Sequence, residues 1–400
     1  GSVKRGVLDA TKLNVIDSIA KDAIAKQATP GEVVLVVKDG KIVFFKTYGN
    51  YEYGKDEPVN KESIYDMASV TKICATNISV MKLYDEGKLE LKKKLGDYLP
   101  WVRGTNKENL TIENILLHQA GLVAYIPFYK ETLEADGSPS PTYYSKIKTD
   151  SFSIRVANNM YMRTDWRDTL YKRILESHLG RTNKYIYSDN DFIFLGKIVE
   201  AISGKPLNEY VADNFYRPLG LTTAGFKPFE RFPLSRIVPT EHEKQFRQQL
   251  LHGDVHDPGS AMFGEVAGHA GLFSNAYDLA MIMQMLVNGG TINGKRYLQK
   301  ETINLFTAYH SRISRRGYGF DKPEKDNKLR PDPYPCLSAS PQTFGHTGYT
   351  GTCVWADPKY NLVFVYLSNR VNPDGGVNTK LMRMNVRTNI QEAIYKAMGL

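Results

Sequence analysis

The hydrophobic pattern near both ends of the chain predicts strands packed against helices. Apolar residues recur at helical spacing over residues 12–26, which predicts an amphipathic helix. Two β-rich runs, 33–37 and 42–47, flank Asp39-Gly40 and predict a hairpin with a tight turn. Residues 351–356 and 362–367 predict a second hairpin, and a helix over 390–398 closes the chain.

The middle of the chain has few strand patterns and is predicted to be mostly helical. Helical patterns cover residues 69–87, 111–118, 190–203 and 207–215, and Ser274 is the expected N-cap of a further helix that ends near Val287. Residues 125–185 are rich in Tyr, Ser, Thr and Pro and are interpreted as a long insertion with some helix.

These elements predict an α+β fold, in which an antiparallel sheet made from both termini is flanked by helices and carries an inserted, mostly helical lobe. We expect residues 1–68 and 260–400 to form the sheet lobe and residues 69–259 the helical lobe. A cleft is expected at the boundary between them.

Composition excludes several classes of protein. The 400 residues are 42% hydrophobic and 24% charged, which excludes a disordered or low-complexity chain. No apolar run is long enough for a transmembrane helix. The net charge of +9 comes without a clustered basic face or a reader motif, so no nucleic-acid partner is predicted, and Arg315-Arg316 is interpreted as solvated surface. Three scattered cysteines predict neither a disulfide framework nor a zinc cluster.

The chain starts with Gly1-Ser2 and has no apolar leader. We therefore expect a trimmed sequence that is one part of a longer multidomain chain.

The candidate nucleophile is Ser69, in the sequence Ser69-Val-Thr-Lys72. Residues three apart share a helix face, so the lysine amine can reach the serine hydroxyl. The helix dipole and burial are expected to depress the pKa of Lys72, which would let the amine act as a base. The same spacing also occurs at Ser18, Ser79 and Ser145, but only Ser69 follows a strand pair and opens a helix. On this local pattern alone, a helix N-cap with an exposed lysine is an equally good interpretation.

Two further motifs follow in chain order. Tyr187-Ser188-Asp189 precedes an apolar helix, and a tyrosine beside a cationic lysine can move protons. His346-Thr347-Gly348 leads into a strand, where glycine lets a substrate backbone approach and the polar pair can orient an anion. The chain has 25 tyrosines, and Gly-rich turns are common, so each motif alone is weak.

The order of the three motifs resembles that of the serine β-lactamase and penicillin-binding protein superfamily. The resemblance extends over about residues 12–398 and is strongest for the class C-like branch, which contains D-Ala-D-Ala carboxypeptidases and esterases. Segments 116–122, 216–220 and 268–274 support it. The segment 267–274 with 255–257 also resembles modules fused to glycoside hydrolase family 3 β-N-acetylhexosaminidases.

The resemblance implies a role for each motif. Ser69 would be acylated, Lys72 would deprotonate it alone or with Tyr187, and Tyr187 would pass the proton to the leaving group. His346 would hold a substrate carboxylate or tune Tyr187. The backbone N–H groups of Ser69 and Tyr349 would form the oxyanion hole. Thr347, Gly348 and Asp189 would support the substrate.

Two departures from the family pattern indicate a peptidase or esterase rather than a specialised β-lactamase. Asp189 stands where efficient β-lactamases carry Asn, and His346 stands where they carry Lys. The expected function is hydrolysis of a D-amino-acid amide or peptide. A β-lactamase, a small-ester esterase and a catalytically silent peptidoglycan-binding module are the alternatives.

The resemblance also implies an extracytoplasmic, periplasmic location and a small-molecule or peptide substrate such as a peptidoglycan fragment. It implies no cofactor and no metal. His252, Asp254, His256 and Asp257 are ligand types at close spacing, but an ordered loop near the cleft is the favoured interpretation. His118 and His269 are expected to be hydrogen-bonded structural groups.

Overall fold

A five-stranded antiparallel sheet built from both ends of the chain is the framework of the fold. The computed structural model describes residues 6–400, so the expectation for Gly1-Ser2 lies outside the described residues. The strands are β1 (Gly31–Lys38), β2 (Lys41–Gly49), β3 (Tyr65–Asp66), β4 (Tyr144–Ser145), β5 (Ile154–Ala157), β6 (Met160–Met162), β7 (Glu241–Glu243), β8 (Gln249–Leu251), β9 (Phe273–Ser274), β10 (Thr291–Ile292), β11 (Lys295–Arg296), β12 (Phe344–Gly348), β13 (Thr352–Asp357) and β14 (Leu362–Ser368). The main sheet has the order β12-β13-β14-β1-β2, which confirms both predicted hairpins and the α+β class.

Helices cover the sheet and fill the middle of the chain. The α-helices are α1 (Val15–Ala25), α2 (Ile78–Asp85), α3 (Leu95–Tyr98), α4 (Ile112–Leu116), α5 (Arg167–Glu176), α6 (Asp189–Ser203), α7 (Leu207–Val211), α8 (Pro258–Met262), α9 (Ala276–Val287), α10 (Lys300–Thr307), α11 (Lys380–Arg383) and α12 (Val386–Ala397). Among residues 6–400, no helix is long and apolar enough to cross a bilayer.

Strand β1 separates two hydrophobic cores. Alternate side chains of a strand point to opposite faces, so Val34 and Val36 pack into a core with α1 and α12. Val33 and Leu35 point the other way, into the larger core that contains α9 and the central helices. The terminal strands therefore act as the shared wall of both cores.

The structure corrects two sequence expectations and adds to a third. Ser274 lies in β9, and the cap of α9 is Asn275, whose side chain accepts a hydrogen bond from the N–H of Asp278. The predicted helix 69–87 is a 3₁₀ turn (Ala68–Val70), a π-helix (Lys72–Asn77) and α2 in succession. The 125–185 insertion contains α5 but also a small sheet of the order β4-β6-β5, whose strands of two to four residues are too short to show a period.

Candidate active site

Ser69 lies at a sharp transition from strand to helix. The N–H of Met67 donates to Leu272 O (2.9 Å), and Ala68 then takes a left-handed conformation (φ +47°) stabilised by its N–H bond to Asp66 Oδ1 (2.7 Å). This conformation costs an alanine roughly 1–2 kcal/mol. The turn places the Ser69 side chain at the wall of a cleft of about 490 Å³.

Two donors from distant parts of the chain converge on the Ser69 hydroxyl. Lys72 Nζ lies 2.8 Å from Ser69 Oγ, and the Tyr187 hydroxyl donates to the same oxygen at 2.9 Å. The structure therefore brings together the three residues that the first two motifs predict. Such an arrangement can hold a serine for attack and move its proton.

Lys72 is completely buried, and a carboxylate compensates its charge. Its Nζ lies 2.9 Å from Asp189 Oδ1 and 3.3 Å from His269 O. Burial alone would lower the pKa of Lys72, but the Asp189 carboxylate and the Tyr187 hydroxyl oxygen outweigh it and hold the pKa above its ordinary value. The expected depression of the pKa of Lys72 is therefore wrong, and the side chain is an ammonium at neutral pH.

Both ring nitrogens of His346 are occupied. Nδ1–H donates to Thr347 O at 2.6 Å, and Nε2 accepts from Arg316 Nη1 at 2.9 Å. Burial and the adjacent Arg316 charge hold the pKa of His346 well below its ordinary value. A neutral ring without a free donor does not hold a carboxylate, so that expected role is corrected. The other expected role, tuning of Tyr187, agrees with the ring separation of 5.9 Å.

Arg316 belongs to the site, and the sequence interpretation of it as solvated surface is wrong. Its side chain is 3% exposed, and its guanidinium lies 5.0 Å from the centre of the Tyr187 ring. It also donates from Nε to the Tyr185 hydroxyl (3.2 Å) and lies 3.7 Å from Asp321. No spacing near Arg316 indicates this position, because all of its partners are set by the tertiary fold.

The turn after β12 packs against the backbone that precedes Ser69. The hydroxyls of Thr350 and Thr352 donate to the carbonyl oxygens of Asp66 (2.9 Å) and Met67 (3.1 Å). A Cβ on Gly348 would lie 2.7 Å from Met67 O, so this close approach requires glycine. Residues 348 and 349 are therefore next to the Ala68–Ser69 backbone, as the predicted oxyanion hole requires. Thr347 lies beside them on β12 and is half-buried.

Aromatic and charged side chains line the rest of the cleft. Tyr125, Tyr129 and Tyr349 line it together with several paired acids. The pairs are Glu241 with His256 (2.9 Å), Glu243 with Arg247 (2.6 Å) and Asp257 with His269 (2.6 Å). Each of these three carboxylates is therefore held by a histidine or arginine side chain.

The four residues considered as metal ligands each form hydrogen bonds with a different partner. His252 bonds to backbone carbonyls, Asp254 to Arg155, His256 to Glu241 and Asp257 to His269. Asp189, Asp257 and His269 instead bring three ligand atoms within 4.8 Å of one another. The ammonium of Lys72 already binds Asp189 there and Asp257 binds His269, so these side chains are hydrogen-bonded to one another beside Ser69.

The two histidines that are predicted to be structural differ in position. His118 is buried and bonded to Asp191 (2.7 Å), as expected for a structural group. His269 is hydrogen-bonded too, but it also lines the cleft and its carbonyl faces Lys72.

Comparisons with known proteins place these features in context. The sequence model of the β-lactamase family matches residues 16–386. A "putative D-alanyl-D-alanine carboxypeptidase" of Escherichia coli (strain K12) is 33% identical over 368 residues, which cover 85% of this chain and 78% of that protein. The expected relation to modules fused to glycoside hydrolases is not supported by the comparisons.

Solved structures share the fold at low identity. A class C β-lactamase aligns with a TM-score of 0.67 at 16% identity, over 96% of this chain and 99% of its own. EstCE1, a hydrolase with promiscuous acyltransferase activity, aligns with a TM-score of 0.67 at 19% identity and the same coverage.

Proposed function

Because this chain belongs to the β-lactamase family of serine hydrolases, we propose that it is a D-amino-acid peptidase of the D-Ala-D-Ala carboxypeptidase type. The observation that carries the proposal is the pair of contacts on Ser69 Oγ, from Lys72 Nζ (2.8 Å) and the Tyr187 hydroxyl (2.9 Å). The name of the Escherichia coli relative supports the choice of substrate class. The reaction then takes place outside the cytoplasm, on peptides of the cell-wall type.

In the proposed acylation step, Ser69 Oγ attacks the carbonyl carbon of the scissile amide. For this step the Tyr187 O–H turns from Ser69 Oγ toward the leaving nitrogen and the Ser69 O–H donates to the Tyr187 oxygen, so that Tyr187 receives the serine proton and passes its own to the nitrogen as the C–N bond breaks and the ester forms. Lys72 remains an ammonium and stabilises the negative charge that develops on Ser69 Oγ. The N–H groups of Ser69 and Tyr349 stabilise the carbonyl oxygen, an effect worth a few kcal/mol. A water then reverses the relay and releases the acyl group.

Asp189, His346 and Arg316 position this machinery. Asp189 keeps Lys72 charged and directed at Ser69. Arg316 holds His346 neutral and packs against the Tyr187 ring. Thr347 and Gly348 form the strand edge along which the substrate backbone lies.

Chemical probes of Ser69 test the proposal. We expect a fluorescent penicillin and a fluorophosphonate both to label wild type, with mass spectrometry locating each adduct on Ser69. Wild type should also release D-alanine from a D-Ala-D-Ala-terminated peptide. Ser69→Ala should abolish labelling and release with little change in Tm, whereas Ser18→Ala, in the exposed decoy motif of α1, should behave as wild type.

The outcomes separate the alternatives. Fluorophosphonate labelling without penicillin labelling or D-alanine release would identify an esterase. Hydrolysis of the penicillin at many turnovers would identify a β-lactamase. Folded protein labelled by neither probe would identify a binding module.

A further inference from the structure

Arg370 is a buried cation without an anionic partner. It follows β14 and is 4% exposed. Its Nε and Nη1 are both buried and have no hydrogen-bond acceptor among residues 6–400, and no carboxylate there forms an ion pair with it. A buried charge without a partner destabilises the folded protein, so the presence of Arg370 here indicates a functional role.

Glycines make room for this side chain on two sides. A Cβ on Gly376 would lie 3.0 Å from Arg370 Nη1, and a Cβ on Gly351 would lie 2.9 Å from Arg370 Cγ. Both glycines have positive φ, +101° and +108°. Glycine at 376 therefore leaves room for the guanidinium and for the Tyr349 hydroxyl, which would lie 2.7 Å from such a Cβ, and glycine at 351 leaves room for the aliphatic part of Arg370.

Tyr349 lies between Arg370 and the catalytic cleft. Its ring centre is 4.5 Å from the Arg370 guanidinium, and its hydroxyl donates to Gly375 O at 2.8 Å. Tyr349 and Gly375 both line the cleft that contains Ser69, and Tyr349 is 54% exposed. Rotation of one exposed ring would thus open Arg370 to the cleft.

Other cations near Ser69 already have carboxylate partners: Lys72 with Asp189, His256 with Glu241, and Arg247 with Glu243. His346 is neutral and has no free ring nitrogen. Arg370, by contrast, has no carboxylate partner among residues 6–400, so it can pair with an anionic group of a substrate in this part of the cleft. The backbone N–H of Arg370 donates to Thr350 O (3.0 Å), which ties it to the turn that carries Tyr349.

We propose that Arg370 binds the free carboxylate of the substrate and that Tyr349 covers this subsite when it is empty. The inference rests on the proposed function and specifies its substrate class, namely peptides with a free C-terminal carboxylate. A guanidinium can hold a carboxylate through two parallel hydrogen bonds, which satisfies the donors that are unpaired here. A C-terminal amide or a neutral ester lacks the charge that this subsite requires.

The test compares matched substrates. A D-Ala-D-Ala-terminated tripeptide and its C-terminal amide are assayed with wild type, Arg370→Met and Arg383→Met. Arg383 is a control because it is exposed on α11 and bonds to Thr379. We expect Arg370→Met to lower kcat/KM on the free acid at least tenfold, mainly through KM, and to change the amide less than twofold. Arg383→Met should leave the ratio of acid to amide unchanged.

A neutral fluorophosphonate shows whether each variant keeps a folded site, because its reaction with Ser69 needs no carboxylate. If Arg370→Met does not fold, Gly376→Ala fills the space beside Nη1 and should reduce the preference for the acid in the same direction. Equal losses on acid and amide would overturn the proposal and leave Arg370 a structural residue.

A failure of the proposed function is a separate result. If wild type cleaves neither peptide but hydrolyses phenyl esters, the same variants are tested on phenyl phenylacetate and its 3-carboxyphenyl analogue. Loss of preference for the carboxylated ester in Arg370→Met then supports the subsite. An unchanged preference overturns it.

Discussion

The charge state of Lys72 distinguishes this site from one in which the lysine is the base. A buried lysine with no anion nearby would lose its proton, as burial favours the neutral amine. Asp189, at 2.9 Å, reverses that preference and holds the pKa of Lys72 above its ordinary value. The Asp in the second motif therefore changes what the lysine does, and Tyr187 is left as the group that moves the proton.

Asp189→Asn tests this assignment through the pH profile. Without the carboxylate, burial lowers the pKa of Lys72, so the ammonium is lost at a lower pH. We expect the alkaline limb of kcat/KM to move down by at least one pH unit. Asp213→Asn, which changes a solvent-exposed ion pair, should leave the profile as in wild type. Faster acylation at neutral pH in Asp189→Asn would instead identify Lys72 as the base.

At the scale of elements, the sequence predicted those helices and hairpins that depend mainly on neighbouring residues. The hairpins, α1 and the position of Ser69 at the start of a helix follow from periodicity and turn residues. The π-helix Lys72–Asn77 was not predictable, because the hydrophobic pattern does not distinguish its i→i+5 hydrogen bonds from the i→i+4 bonds of an α-helix.

Contacts between side chains from distant segments could not be predicted from the sequence either. Arg316 lies 30 residues before His346, and nothing in Arg315-Arg316 distinguishes the buried residue from its neighbour. Arg370 follows a predicted strand, but only the fold places it behind Tyr349. The motifs located the nucleophile, whereas the groups that set its electrostatics needed the structure.

Strand β1 carries a carboxyl group that makes stability depend on pH. Glu32 is buried, its Oε1 accepts a hydrogen bond from the Tyr366 hydroxyl (2.9 Å), and its Oε2 has no partner within residues 6–400. Burial raises the pKa of Glu32 to about 8, from 4.5 in the unfolded chain. The folded state therefore binds this proton more tightly, and its contribution to stability is lost as the pH rises from 4.5 to 8.

Glu32→Gln should remove this dependence. We expect the free energy of unfolding of wild type, relative to the variant, to fall by on the order of 3–4 kcal/mol between pH 5 and pH 8, since one pKa unit is about 1.4 kcal/mol. Urea unfolding at several pH values measures it. Glu57→Gln, at an exposed position, is the control. A difference that does not vary with pH would show that Glu32 is ionised in the folded protein throughout this range.

At the scale of the whole molecule, the two cores share one sheet. We propose that residues 1–68 and 260–400 form the sheet lobe and that residues 69–259 form the helical lobe. The larger core nevertheless crosses that boundary, because Val33 and Leu35 of β1 pack in the same cluster as Val80 and Phe192. Since Val34 and Val36 of the same strand belong to the other core, loss of β1 would expose both. The lobes should therefore unfold together.

The three cysteines allow this cooperativity to be measured. Cys74 lies in the larger core, and Cys336 and Cys353 lie in the core with α1 and α12. Burial raises the pKa of Cys353 to about 12 and those of Cys74 and Cys336 well above the ordinary thiol value, so the native thiols should be inert. In a urea series, pulse labelling with iodoacetamide should modify all three at one midpoint, which should coincide with loss of fluorophosphonate labelling at Ser69. Labelling of Cys336 and Cys353 at lower urea than Cys74 would show that the helical lobe stays folded without the terminal sheet.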